Sequence, residues 1–137
     1  MKRIGLLVTG NEVLLGKTKD TNGPYIAQSL LSKGIEVAVS VVAGDTIEDL
    51  VRALNFLSQA SDVVIITGGL GATIDDLTAQ AVSSFSEIPL QFSDAAWRVS
   101  TDYFKRISRD DVPVTNRKQA MLPAGSRIFP NIHGTAA

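Results

Sequence analysis

The sequence predicts a doubly wound α/β domain, a mostly parallel sheet with helices on both faces. Three observations predict it. Apolar segments alternate with amphipathic ones three times in series, and each apolar segment ends in glycine and polar residues. One of them, Val63 to Ile66, is a continuous β-branched run suited to a parallel strand buried on both faces.

Ile4 to Thr9 reads as the first strand. It ends in Gly10, Asn11 and Glu12, polar residues at a strand's carboxyl end that suggest a site more than a core. After a polar loop, Asp20, Thr21 and Asn22 supply capping side chains and Pro24 suits a first helical turn. Ile26, Ala27, Leu30 and Leu31 recur at helical spacing before Gly34 stops this helix. Ile35 to Val42 is the second strand. Gly44, Asp45 and Thr46 turn the chain into a second helix that carries Leu50, Val51, Leu54 and Leu57 and ends near Ala60. The third strand runs into Gly68, Gly69 and Gly71, and Leu77, Ala81, Val82 and Phe85 mark the third helix. Pro89 breaks it, and Leu90 to Phe92 is a short extended piece. From Ser93 onward, Trp97, Thr101, Phe104 and Ile107 form one stripe of a fourth helix. A short polar helix begins at Thr115 or Asn116, and Arg127 to Phe129 makes a final strand ended by Pro130.

Composition narrows the function classes. With 137 residues, 45% hydrophobic and 20% charged, the chain has the balance of one globular domain. Folding at this size buries roughly two-thirds of the unfolded surface. A net charge of −1 leaves no footprint for nucleic acid or an anionic membrane, and zero cysteines exclude disulfide and thiolate chemistry. Ile4 to Val8 is too short for a signal-peptide core, and no segment resembles a membrane span, so a cytoplasmic location is expected. The ending NIHGTAA carries no obvious closing element. We therefore expect a single domain over residues 1–137 that lacks its C-terminal closing segment.

The richest stretch is DVVIITGGLGATIDDLT, from Asp62 to Thr78. Gly68, Gly69 and Gly71 free the backbone to turn, let amides through Thr73 converge on an anion, and admit a ligand closer than a Cβ would. A helix N-terminus behind them suits phosphate. Asp75 and Asp76 sit where that phosphate would lie, which is tolerable chiefly when a divalent cation such as Mg²⁺ bridges them. A second reading has either aspartate capping the third helix. Asp45 likewise either faces the site or caps the second helix. Asn116, Arg117 and Lys118 either open a solvated helix or bring cations to a phosphate. Glu12 has little structural reason to follow an apolar strand. His133 reads as a surface residue, and Trp97, Tyr103 and Phe104 read as core. The absence of GxGxxG and of GxxxxGK[ST] disfavours an ordinary NAD fold and a P-loop NTPase.

Five segments taken in order carry a resemblance: TGNE from Thr9, DTN from Asp20, GD from Gly44, GGLGATIDDLT from Gly68 and NRKQA from Asn116. Together they resemble the molybdopterin-binding domain superfamily and, within it, the N-terminal domains of the competence-damage inducible CinA family. The resemblance spans almost the whole chain. It implies a three-layer α/β/α fold with a mostly parallel sheet, and assembly as a homo-oligomer, a dimer or a trimer. In the adenylyltransferase branch, residues positioned like Asp76 and Asp45 serve binding of a pterin phosphate and ATP. In the CinA-like branch the comparable domain is similar to a metal-dependent pyrophosphatase of ADP-ribose-like dinucleotides. Deamidation of nicotinamide mononucleotide there belongs to a separate domain, outside this chain.

Three positions and the ending depart from the patterns of the resemblance, the arginine being that of the adenylyltransferase branch. Asn11 replaces a carboxylate, Ala72 a proline, Asp75 an arginine, and the ending GTAA a GTAPG. The extra negative charge at Asp75 favours metal-assisted pyrophosphate chemistry over capture of a triphosphate.

The expected site therefore comprises Asp76, Asp45 and Glu12 as catalytic residues. Thr9, Gly10, Gly68, Gly69, Gly71, Thr73, Asn116 and Lys118 form the ligand and phosphate contacts, and Asp75, Asp76 and Asp45 hold the metal. The expected partner is a small nucleotide or pterin, molybdopterin included. Two rivals stand beside the pyrophosphatase: a molybdopterin-binding or adenylylating protein, and a non-catalytic assembly or regulatory module.

Overall fold

A computed structural model describes residues 2–109 and 111–137. The chain forms two compact units, Met1–Gly69 and Leu70–Ala137.

The first unit is built on three parallel strands, β1 (Ile4–Thr9), β2 (Val37–Ala43) and β3 (Val63–Thr67), in the order β2-β1-β3. Among the described residues, five α-helices accompany the strands of the two units. Those of the first are α1 (Asn11–Leu14), α2 (Asn22–Leu31) and α3 (Ile47–Ala60). The central strand β1 is buried at all six positions. Its two faces are covered by different helices. At Gly5 a Cβ would lie 3.1 Å from Leu57 of α3, whereas at Gly23 of α2 a Cβ would lie 3.4 Å from Val8. Gly5 and Val8 point to opposite faces because side chains alternate along a strand. The three layers α/β/α expected of the fold class follow from that alternation.

Local chemistry explains the boundaries. Thr46 caps α3 by accepting from the Asp49 amide at 3.1 Å and donating its hydroxyl to the Asp49 carboxylate at 2.9 Å. The inward stripe of α3 is Leu50, Ala53, Leu54 and Leu57, all buried. The second strand starts two residues later than expected, at Val37, because Ile35 is still bonded to the α2 turn through the Leu30 carbonyl at 3.0 Å.

The third strand departs from expectation in burial. It lies at the outside of the three-stranded sheet, and Val63 is 39% exposed while Val64 to Thr67 are half-buried. Burial on both faces belongs to the central β1, a position that β-branched composition alone does not distinguish.

In the second unit, α4 (Thr78–Ser86), β4 (Leu90–Phe92), α5 (Asp94–Arg106), a 3₁₀ helix (Val114–Ala120) and β5 (Met121–Pro123) follow in order. Strands β4 and β5 pair antiparallel, Phe92 opposite Met121 and Leu90 opposite Pro123. Ser93 caps α5 by accepting from the Ala96 amide at 3.2 Å. The buried stripe of α5 is Ala96, Ser100 and Phe104, shifted from the expected Trp97, Thr101, Phe104 and Ile107. Small residues let the helix seat closely, while Trp97 rests at the rim against Phe92 with ring centroids 6.1 Å apart. Arg127 to Phe129 forms no strand. Met121–Pro123 takes the pairing with β4, and Gly125, at φ 81°, turns the chain away directly afterwards. Phe129 is left 67% exposed under the Arg127 guanidinium, 5.2 Å from its ring centroid.

Candidate functional site

The carboxyl ends of β1, β2 and β3 lie along one edge of the first unit, with Thr9 beside Ala43 and Val8 beside Thr67. The chain moves from central β1 outward to β2 and then returns past β1 to β3. A doubly wound sheet opens its ligand crevice where the winding reverses in this way.

Asp45 organises this edge. One carboxylate oxygen accepts from the Thr9 hydroxyl at 2.9 Å and the other from the Asn11 amide at 2.8 Å, while the Asp45 amide donates to the Asn11 side chain at 3.2 Å. Capping of α3 falls to Thr46, and Asp45 instead accepts hydrogen bonds from Thr9 and Asn11 at the strand ends. Gly10 extends the β1–β2 ladder through its amide to the Ala43 carbonyl at 3.2 Å. Glu12 opens α1, exposed, with its carboxylate folded over Gly10. The stretch expected as an open loop after Gly10 is thus a single helical turn. Gly68 and Gly69 have φ of 99° and 61°, and a Cβ on Gly68 would collide with the Thr9 carbonyl. Asn22, expected only as a cap, donates to the Thr67 hydroxyl at 3.0 Å. Asp20 instead satisfies the start of α2, accepting from Gly23 at 2.9 Å.

The rest of the expected constellation lies in the second unit. Neither Asp75 nor Asp76 caps α4, which starts at Thr78 without a side-chain cap. Asp76 turns back on the loop, one oxygen accepting from the Thr73 amide at 2.8 Å and the Thr73 hydroxyl at 2.7 Å. Partial burial pushes this carboxyl's pKa up. Hydrogen bonds from Thr73 and from the Gly71 amide, together with the Lys118 charge, outweigh it and hold the pKa below the ordinary 3.8. Asp75 is exposed.

The 3₁₀ helix holds this loop by its carbonyls. Lys118 donates to the Thr73 carbonyl and, at 3.4 Å, to that of Ile74. Gln119 donates to the Leu70 carbonyl at 3.0 Å, and buried Asn116 donates to the Gln119 side-chain oxygen at 2.7 Å. Lys118 and Asn116, expected at the ligand, thus spend these donors on the protein. Gln119 was missed by sequence reasoning, although the NRKQA segment that carried the resemblance contains it. Arg117 stacks over Phe92 at 4.6 Å from the ring centroid.

Among the described residues, no three His, Asp or Glu side chains gather into a ready-made metal cage. No helix among them is long and apolar enough to cross a membrane.

Fold and site together define an α/β domain whose glycine-rich loop leaves the carboxyl end of a parallel strand. The chain belongs to the family described as "Probable molybdopterin binding domain", which it matches over residues 5–135. It is 39% identical over 134 residues to a CinA-like protein of Geotalea daltonii, covering 98% of this chain and 32% of that protein. The chain thus spans about a third of the length of that curated relative. The solved structure of the protein CinA from Thermoplasma acidophilum, described as of unknown function, matches with TM-score 0.87 at 29% identity. That match covers 98% of this chain and 78% of the other. The tungsten cofactor synthesizing protein MoaB from Pyrococcus furiosus shares the fold, with TM-score 0.60 at 21% identity over 78% of this chain and 65% of its own.

Proposed function

We propose that this CinA-like domain binds a phosphate-bearing nucleotide or pterin through its glycine-rich loop and acts as a metal-dependent pyrophosphatase on ADP-ribose-like dinucleotides. One observation carries the phosphate reading. Gly71 does not have a positive φ, yet a Cβ there would stand 2.5 Å from the Asp76 carboxylate, so the glycine serves close approach of an anion rather than a turn. The amide and hydroxyl of Thr73 converge on that anion.

The donor chemistry fits a magnesium ion. Mg²⁺ is held by one or two carboxylates together with waters and substrate phosphates rather than by an all-protein cage, and Asp76 with exposed Asp75 offers such hard oxygens. The ion, when bound, would neutralise charge on the phosphates during cleavage. Asp76, kept ionised by its donors, supplies the permanent negative charge such a cation needs. Asp75 adds charge where an arginine would instead favour a triphosphate. In the first unit, Asp45 fixes Thr9 and Asn11, and Glu12 presents an exposed carboxylate suited to orienting water or a nucleoside.

Incubation with ADP-ribose or FAD, with Mg²⁺ and with chelator, tests this reading. Metal-dependent release of AMP is expected, and its absence overturns the pyrophosphatase. Family membership favours one second reading, binding or adenylylation of a pterin phosphate. Stabilisation by the pterin with no dinucleotide cleavage would select it, since a ligand of the native state raises the melting temperature by mass action.

A further inference from the structure

We propose that the Asp76 carboxylate is an internal stand-in for the ligand's phosphate: it fills the loop's own anion nest, and a phosphoryl or pyrophosphoryl group binds by taking over its donors. This inference rests on the reading of the loop as a phosphate site.

The donors are already spent. The Thr73 amide at 2.8 Å and the Thr73 hydroxyl at 2.7 Å both donate to one carboxylate oxygen, and the Gly71 backbone lies close against it. A side-chain anion with convergent amide and hydroxyl donors reproduces what a nest offers a phosphate oxygen. Gly71 shows that the space was shaped for the anion, because a Cβ would lie 2.5 Å from one carboxylate oxygen and 2.9 Å from the other. A phosphate cannot share these donors with Asp76, so one anion must leave.

The frame around the nest does not depend on Asp76. The loop's carbonyls at Leu70, Thr73 and Ile74 are anchored by Gln119 and Lys118, and Gln119 is steadied by buried Asn116. Rotation of the Asp76 side chain therefore empties the nest while the backbone donors keep their places. The freed carboxylate then lies beside both the incoming phosphate and Asp75. Three anionic groups in one loop repel one another, and Lys118 sets only a single positive charge against them. Entry of phosphate thus creates the acidic pair that a divalent cation would hold, which makes anion and cation binding mutually dependent.

The test is calorimetric titration of inorganic pyrophosphate in the presence of chelator, with the wild-type chain, Asp76→Ala and Asp76→Asn. Removing the internal anion should raise metal-free affinity by at least about tenfold in Asp76→Ala. Asp76→Asn, which keeps one acceptor for Thr73 and so guards against loss of folding, should gain in the same direction by less. If both variants bind pyrophosphate no tighter than the wild type, the displacement mechanism is wrong while the phosphate site stands. If none of the three proteins binds it, the phosphate site and this inference fall together. Cleavage of ADP-ribose does not enter the readout.

Discussion

The Thr9 hydroxyl donates to the Asp45 carboxylate at 2.9 Å and thereby ties the carboxyl ends of β1 and β2 together across 36 positions of sequence. The other Asp45 oxygen holds the Asn11 amide at the start of α1. Asp45→Ala leaves both donors without their acceptor. It should destabilise the chain by about 1–3 kcal/mol, the usual cost of orphaned donors to a charged group. Asp45→Asn keeps an oxygen for Thr9 but turns an NH₂ toward the Asn11 amide, so it should lose about half as much. Urea unfolding midpoints would read both. Equal stability of Asp45→Ala and wild type would show that the edge is held by other contacts.

Gly68 and Gly69 separate two reasons for glycine. Both have positive φ, at 99° and 61°, and at Gly68 a Cβ would in addition be driven into the Thr9 carbonyl. Gly69→Ala adopts an ordinary left-handed conformation and should cost about 1–2 kcal/mol. Gly68→Ala adds a backbone collision and should cost more than Gly69→Ala, with part of the chain failing to fold. The ranking is the test, read from thermal melts of the two variants.

Apart from the single turn α1, the order of strands and helices through α5 was legible because each element carries its own punctuation: Gly34 after α2, Thr46 before α3, Pro89 after α4, Ser93 before α5. What pairs with what was less so. The segment Arg127 to Phe129 is apolar enough to read as a strand, yet Met121–Pro123 won the partner β4, a choice made by tertiary contacts that no local pattern encodes. Burial of Val63 to Ile66 was overestimated for the same reason, since composition does not reveal which strand is central. At the candidate site, residue types were readable and their directions were not. Asp76 and Lys118 stand in the loop system expected of them, but whether each faces a ligand or its own backbone depends on rotamers. Gln119 escaped notice because an amide beside a lysine carries no periodic signal.

Asp76 links pH to stability with a definite sign. Its folded-state pKa lies below the ordinary 3.8, so ionisation favours the native state. The contribution is fully present above the unfolded value and is lost as pH falls through the folded one. The difference in melting temperature between wild type and Asp76→Asn should therefore be constant from pH 7 down to about pH 5 and shrink below about pH 4. A difference that persists unchanged to pH 2 would mean that the Thr73 and Gly71 bonds do not favour the charged form.

Asn116 and Gln119 form a relay from the core to the loop: buried Asn116 donates to Gln119 at 2.7 Å, and Gln119 donates to the Leu70 carbonyl at 3.0 Å. The two links differ in solvent access, so they should differ in energy. The Gln119–Leu70 bond is exposed, and water replaces it in Gln119→Ala, which should cost under about 1 kcal/mol. Asn116→Ala removes a buried amide, leaves a small void, and releases Gln119 as well, and should cost about 1–3 kcal/mol. In the double variant the second loss should be smaller than in isolation, with a coupling of about 0.5–1 kcal/mol, because Gln119 without Asn116 no longer holds the carbonyl firmly. Chemical denaturation of the four proteins closes the cycle. Strict additivity would mean that Gln119 finds Leu70 without guidance from Asn116.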